Sequence, residues 1–200
     1  GGVELVRDDN NIVIGAYAGD LKGNLWKFDL RSANPEDWKV STNPVFKART
    51  STGAVQPITA APLSIKHPDG GRLVLLGTGR FFDASDVATT DLQTVYGVRD
   101  RDAFTNMNSA SVEGTSTLVR QDLITKTNAS RVITAFDDTT STQTVTYYEV
   151  SVNPIDWTAK NGWYFHQPFS GQRMVYPVTP ITNHVAKVDT ITPGTQSNDP

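Results

Sequence analysis

Asp83 and Asp86, in the segment DASD, have the residue type and spacing of an acid pair that could move a proton. No base, nucleophile or further ligand accompanies them, so the pattern reads as a loop with local side-chain capping. The three histidines are scattered: His67 in the turn HPDG, His166 in a strand and His184 at a strand start. None has a ligand-like neighbour, and each reads as a solvated or hydrogen-bonded side chain. Gly77-Thr78-Gly79 begins like a dinucleotide fingerprint, but Phe82 holds the place of the third glycine and no helical pattern follows. Its glycines serve a strand end and a turn instead. Trp26, Trp38, Trp157 and Trp163 could form a carbohydrate platform, although such residues are more often packing, Trp26 and Trp163 above all.

Composition narrows the chemistry further. Without a cysteine there are no disulfides, thiolate zinc sites or cysteine nucleophiles in these 200 residues. The net charge of −3 and the lack of a basic run argue against nucleic acid or an anionic membrane as the main partner. No apolar run approaches the roughly 18 residues of a transmembrane helix, so direct membrane insertion is not expected. The chain opens GGVEL without Met and is expected to be a segment of a longer protein.

The elements that must position these residues are strands. Thr, Val, Tyr, Ser, Gly, Asn and Pro recur, which favours strands and turns. Ile12–Ala18 and Asn24–Leu30 are seven-residue runs around GDLKG, the sequence form of a β-hairpin. The first run is apolar enough to be buried on both faces. The second alternates, with Trp26, Phe28 and Leu30 on one face and Leu25, Lys27 and Asp29 on the other. Further strands are expected at Asn43–Arg49, Gln56–Ile65, Arg72–Gly79, Thr94–Asp100, Gly162–Phe169, Arg173–Ile181 and His184–Ile191. Arg131–Phe136 and Thr144–Val152 read as a hairpin, and HPDGG at His67–Gly71 as a turn. A helical turn fits Asn34–Trp38, while Ser116–Thr125 is helix or strand. The tail at 192–200 reads as disorder or a cut loop.

A loose repeat runs through these strands. A Pro-marked strand, a buried apolar strand ending in Gly and a strand ending in Asp occur as PITAAPLSI, LVLLGTG and TVYGVRD. IVIGAYAGD with NLWKFDL supplies the last two members again, and YPVTPI with HVAKVDTI the first two. The expected fold is all-β, part of a modified β-propeller of roughly four-stranded blades with long loops; a β-sandwich is the alternative. The whole of 1–200 would belong to this one domain, as roughly three blades of it.

Several segments resemble the PilC/PilY family of type IV pilus biogenesis factors and tip-associated adhesins, in the family's order. They are YAGDLKGNLWKFDL at Tyr17–Leu30, QPITAAP at Gln56–Pro62, LLGTGRFFDASD at Leu75–Asp86, QTVYGVRD at Gln93–Asp100, LVRQDL at Leu118–Leu123 and NGWYFHQPFSGQRMVYPVTP at Asn161–Pro180. The resemblance implies a C-terminal modified β-propeller, distantly like quinoprotein dehydrogenase propellers but non-enzymatic. It implies export to the pilus tip or outer membrane surface, and roles in pilus biogenesis, surface adhesion and twitching motility. Implied partners are pilin or minor pilins, a host or abiotic surface, and other segments of the same full-length protein. The rival functions are a quinoprotein-type oxidoreductase and a glycan-binding module.

The resemblance also implies a calcium loop just before the YAGD hairpin. There the chain reads VRDDNNIVIG at Val6–Gly15. Asp8 and Asn10 keep the i, i+2 spacing and are the metal candidates, with Asp9 and Asn11 adding oxygens. Calcium takes about six to eight oxygen ligands around a sharp Gly turn. Ile12, Val13 and Ile14 stand where ligands would continue, and the Gly is missing. The residues themselves read as a polar turn entering a strand. Asp83–Asp91, Arg101–Gly114 and Asp137–Gln143 are the loops expected to present a recognition surface.

Overall fold

The computed structural model describes residues 2–134, 140–182 and 185–194. Residues 137–139 of the expected Asp137–Gln143 loop, Phe136, His184 and the last six residues of the expected tail lie outside them, and residues 140–143, expected as loop, are strand. In chain order the strands are β1 (Val3–Arg7), β2 (Val13–Gly19), β3 (Asn24–Asp29), β4 (Lys39–Val40) and β5 (Phe46–Lys47). Then come β6 (Leu63–Lys66), β7 (Arg72–Gly77), β8 (Thr94–Asp100), β9 (Val112–Glu113) and β10 (Val119–Arg120). The last are β11 (Leu123–Thr134), β12 (Thr140–Val150), β13 (Gly162–His166), β14 (Thr179–Thr182) and β15 (Val185–Lys187). Two short 3-10 helices, Pro35–Asp37 and Ala84–Ala88, are the described helical elements, and neither is long enough to cross a membrane.

The strands form two sheets of matching topology and two hairpins. The first sheet has the order β1-β2-β3-β5-β9, with β4 also on β3, and the second has the order β10-β13-β8-β7-β6. Each begins with an antiparallel meander of consecutive strands, β1-β2-β3 or β6-β7-β8. Each then adds an antiparallel strand from further along the chain, β5 or β13. Each closes with a parallel edge, β9 or β10. This repeat is the one visible in the sequence, with β1 taking the place of the Pro-marked strand. The two hairpins are β11-β12 and β14-β15.

The sheets pack face to face. Tyr17, Leu25 and Phe46 of the first meet Val74, Leu76, Tyr96 and Val98 of the second in one buried cluster. Rings interlock across it, with Phe46 edge-on to Tyr96 at 4.8 Å between centroids. The opposite face of the second sheet is also apolar and packs, through Leu63, Ile65 and Leu75, against Met174, Val178, Ala186 and Val188. Every residue of β8 is buried. Gly97 lets this strand lie flat under β13, because a Cβ there would sit 2.4 Å from the Trp163 indole.

Some expected strands shorten. Of Asn43–Arg49 only Phe46–Lys47 is strand, because Pro44 precedes it and Arg49 turns away to bridge Val55. Gln56–Ile65 becomes strand only from Leu63, past both prolines, and Ile58 makes a single parallel bridge to Gly79. Of Ser116–Thr125, Val119–Arg120 is β10 and the stretch from Leu123 begins β11, with a turn before them and an irregular pair between. The helical turn at Asn34–Trp38 is present as a 3-10 turn capped by the Asn34 side chain.

Candidate functional site

The stretch with the metal candidates is the β1-β2 turn. Asp8 Oδ1 accepts from the Asn10 and Ile12 backbone N–H groups, both at 2.9 Å. The Asp8 N–H donates to Ile12 O, and Asn11 takes the left-handed conformation (φ 64°) that Asn tolerates. Asn10 lies exposed at the tip, and Asp9 is paired with Lys66 of β6. Thus Asp8 and Asn10 are brought together, but Asp8 is committed to its own backbone and Asp9 to a lysine. Among the described residues no group of three or more His, Cys, Asp or Glu is placed to hold a metal ion.

Asp20, in the YAGD turn between β2 and β3, is a second hydrogen-bond hub. Its Oδ1 accepts from Lys22 N and Asn24 N at 2.9 Å, and its Oδ2 from Asn24 Nδ2 at 2.9 Å and Trp26 Nε1 at 3.0 Å. Burial pushes this carboxyl up, but the bonds from Trp26, Asn24 and Lys22 outweigh it and hold the group below its ordinary value. Asp20 therefore builds the turn and fixes Trp26 beside it.

Between the sheets lies a charged clasp. Lys27 is 1% exposed and Asp100 4% exposed, although they are 73 residues apart. Lys27 Nζ donates to Asp100 Oδ1 at 3.0 Å and Oδ2 at 3.1 Å, and also to Ala103 O. Tyr17 donates its hydroxyl to Asp100 Oδ2 at 2.8 Å. Burial pushes the Asp100 carboxyl above its ordinary value, against the pull of Lys27 and the Tyr17 hydrogen bond. Burial, with the Asp100 charge, raises the Tyr17 phenol as well, so it stays a donor. Beside the clasp is a cavity of about 150 Å³, lined by Ser41, Asn43, Arg99 and Asp102 among others. These titratable groups are engaged with one another, an arrangement that joins two sheets.

The third cluster ties together distant parts of the chain. Arg173, buried in the GQR triplet, donates to the carbonyls of Gly171, Arg80, Asp86 and Thr89 at 2.8–3.0 Å. It pins the loop after β7 to the segment after β13. Within that loop Asp83 caps the 3-10 turn by accepting from Ser85 N, and Asp86 Oδ2 accepts from Phe82 N at 2.9 Å. Asp86 also pairs with Arg80 at 2.8 Å. The two aspartates of DASD are thus a capping box, as their spacing implies.

The two described histidines, His67 and His166, are structural in their surroundings. His67 Nδ1 accepts from Asp69 N, and its ring meets Trp157 edge-on at 4.5 Å. His166 Nδ1 is 3.0 Å from Thr94 Oγ1. Burial holds both imidazoles below their ordinary value, with Arg99 adding to the effect on His67 and Arg120 on His166. Gln56, of the QPITAAP motif, donates to Leu92 O and Thr94 Oγ1 and receives the Tyr96 hydroxyl. The roles of Lys27, Asp100 and Arg173 escaped the sequence reading. The alternation of β3 put Lys27 on a face with Leu25, and the burial of Leu25 was the available signal.

Paired sheets of matching topology, with a shared core and a capped loop between their strands, are the blades of a β-propeller. A family model described as the PilY1 beta-propeller domain matches residues 3–136, and the chain belongs to that family. It is 31% identical over 175 residues to the type IV pilus biogenesis factor PilY1 homolog of Xylella fastidiosa, over 84% of this chain and 11% of the relative. It is 32% identical over 209 residues to the type IV pilus biogenesis factor PilY1 of Pseudomonas aeruginosa, over 89% of this chain and 17% of the relative. The crystal structure of the Pseudomonas aeruginosa PilY1 C-terminal domain superposes with a TM-score of 0.73 at 31% identity, covering 96% of this chain and 44% of that one. The chain thus spans less than one fifth of these curated relatives and less than half of the solved domain.

Proposed function

We propose that this chain is a propeller segment of a type IV pilus biogenesis factor and works by recognition rather than catalysis. The likeness to the PilY1 C-terminal domain over 96% of the chain carries this reading. The geometry supports it: the buried polar groups of the motifs cap turns, join sheets and pin loops, which is how a rigid scaffold presents loops. The protein would be exported and displayed at the pilus tip or outer membrane surface. Pilin or minor pilins, and a host or abiotic surface, would be its partners in assembly, adhesion and twitching.

The test is genetic. Cells lacking the full-length protein should lose surface pili and twitching, and complementation should restore both. Normal piliation and twitching in its absence would overturn the proposal. So would bound-quinone absorbance or dye-linked alcohol oxidation by the purified full-length protein.

A further inference from the structure

His67 sits where one added proton would upset several contacts at once. It lies in the HPDGG turn between β6 and β7, buried, and its ring meets the Trp157 indole edge-on at 4.5 Å. Its Nδ1 accepts from the Asp69 N–H at 3.1 Å, which sets the neutral ring with its proton on Nε2. A second proton must go on Nδ1, where it would face the Asp69 N–H donor. Trp157 stands in the turn before β13, where the Ala159 and Lys160 N–H groups donate to Asp156 O.

The charges around the ring oppose an imidazolium. Arg99 of β8 ties the two turns together, donating to Asp69 O at 2.6 Å, Gly70 O at 3.0 Å and Trp157 O at 3.5 Å. Arg101 adds bonds to Trp157 O at 2.8 Å and Lys160 O at 3.0 Å. Among the described residues, Asp69 is the carboxylate that pairs with His67, at 4.0 Å, and with Arg99, at 3.9 Å, and it is largely exposed. The turn of Trp157 brings Lys160 and also Asp156, whose carboxylate is taken by Thr158. Protonating His67 would therefore leave three cations to share one wet carboxylate. The arginine bonds hold the backbone carbonyls of the Trp157 turn, whereas the indole is braced by the His67 ring.

We propose that His67 is an acid-sensitive latch on Trp157: the neutral ring holds the indole against the HPDGG turn, and the imidazolium lets it swing out to water about a backbone pinned by Arg101. The device gives the molecule an aromatic contact that is displayed in acid and withdrawn at neutral pH. It goes beyond the reading of the chain as a recognition module and stands without it.

The test is hydroxyl-radical footprinting of the full-length protein from about pH 7.5 to about pH 4.5, with oxidation of each tryptophan read by mass spectrometry. Labelling of Trp157 should roughly double on acidification, as a half-buried ring becomes exposed, with a midpoint below the ordinary imidazole value of 6.5. Trp26, held by Asp20 in a turn without a histidine, should not change. His67→Gln keeps an acceptor for the Asp69 N–H but cannot take the charge, so its Trp157 labelling should be independent of pH. Asp69→Asn removes the carboxylate that favours the imidazolium, and should lower the midpoint by about half a pH unit. Trp157 labelling that stays level or falls in acid, a parallel rise at Trp26, or the same rise in His67→Gln overturns the latch. So does a midpoint that Asp69→Asn leaves in place.

Discussion

The two faces of the second sheet are both apolar, yet they are held in different ways. The inner face, with Val74, Leu76, Tyr96 and Val98, is sealed against the first sheet and carries the Lys27–Asp100–Tyr17 clasp beside it. The outer face, with Leu63, Leu73, Leu75, Val95, Trp163 and Phe165, is covered in part by the segment around β14 and β15 and lines a cavity of about 1000 Å³. A half of a β-sandwich is apolar on one side and wet on the other, whereas a propeller blade is an inner layer. The contrast also separates two kinds of adhesion. Apolar burial alone is non-directional, and the buried ion pair adds a fixed register between neighbouring sheets.

Breaking the clasp on one side should have the largest effect. Lys27→Met or Asp100→Leu alone leaves a buried charge unpaired, and about 3–5 kcal/mol of stability should be lost in urea unfolding. The double variant should recover much of that loss, because both charges go together. A double variant as unstable as the sum of the singles would remove the clasp from the account. Next come the two faces themselves. Leu76→Ala on the inner face should cost about 2–5 kcal/mol, and Leu73→Ala on the outer face about 1 kcal/mol. Equal losses would erase the contrast between the faces.

Arg173→Met should act locally. Amide exchange and proteolysis at 80–91 should speed up, while the unfolding midpoint moves little, since the exposed loop buries few apolar contacts. The pH dependence follows from groups held below their ordinary values. His67 and His166 take up protons at lower pH in the fold than in the unfolded chain, whose imidazoles protonate around pH 6.5, so stability should fall as pH drops through and below that value. Asp20 adds a second fall on acidification below 3.8, where the unfolded carboxyl protonates first. Urea midpoints across pH 3–8 measure both, and a flat profile would contradict the burial of the imidazoles. The smallest expected effect is at the β1-β2 turn. Isothermal titration with calcium should give no micromolar binding, and Asp8→Ala should cost only about 1 kcal/mol of turn stability. Micromolar binding abolished by Asp8→Ala would show a working calcium loop there.

Much of the fold was legible because its signals are local. The runs around GDLKG, the HPDGG turn and the capping pair Asp83/Asp86 all depend on residues a few positions apart. Gly70 and Gly71 sit at positive φ in that turn, as its sequence requires. The triple-strand repeat was legible too, since the unit PITAAPLSI, LVLLGTG and TVYGVRD carries Pro, Gly and Asp markers and IVIGAYAGD with NLWKFDL repeats the last two. What was hidden depends on distance. The pairing of Lys27 with Asp100, and of Arg173 with the carbonyls of Arg80 and Asp86, joins residues 73 to 93 positions apart. A lysine in an alternating strand gives no sign that its partner waits on another sheet. The crossovers that bring β13 to β8 and β9 to β5 are likewise set by tertiary packing, not by any local pattern.

The central claim is that the second sheet is an inner layer of a propeller, and hydroxyl-radical footprinting tests it most directly. Labelling of Trp163 and Phe165 on the outer face should be compared with Tyr96 on the inner face and Tyr17, which meets it from the first sheet, in the 200-residue chain and in the full-length protein. Tyr17 and Tyr96 should stay protected in both, while Trp163 and Phe165 should be labelled in the shorter chain and protected in the longer. Equal labelling of Trp163 and Phe165 in the two forms would contradict the account and make the outer face a free surface of a sandwich.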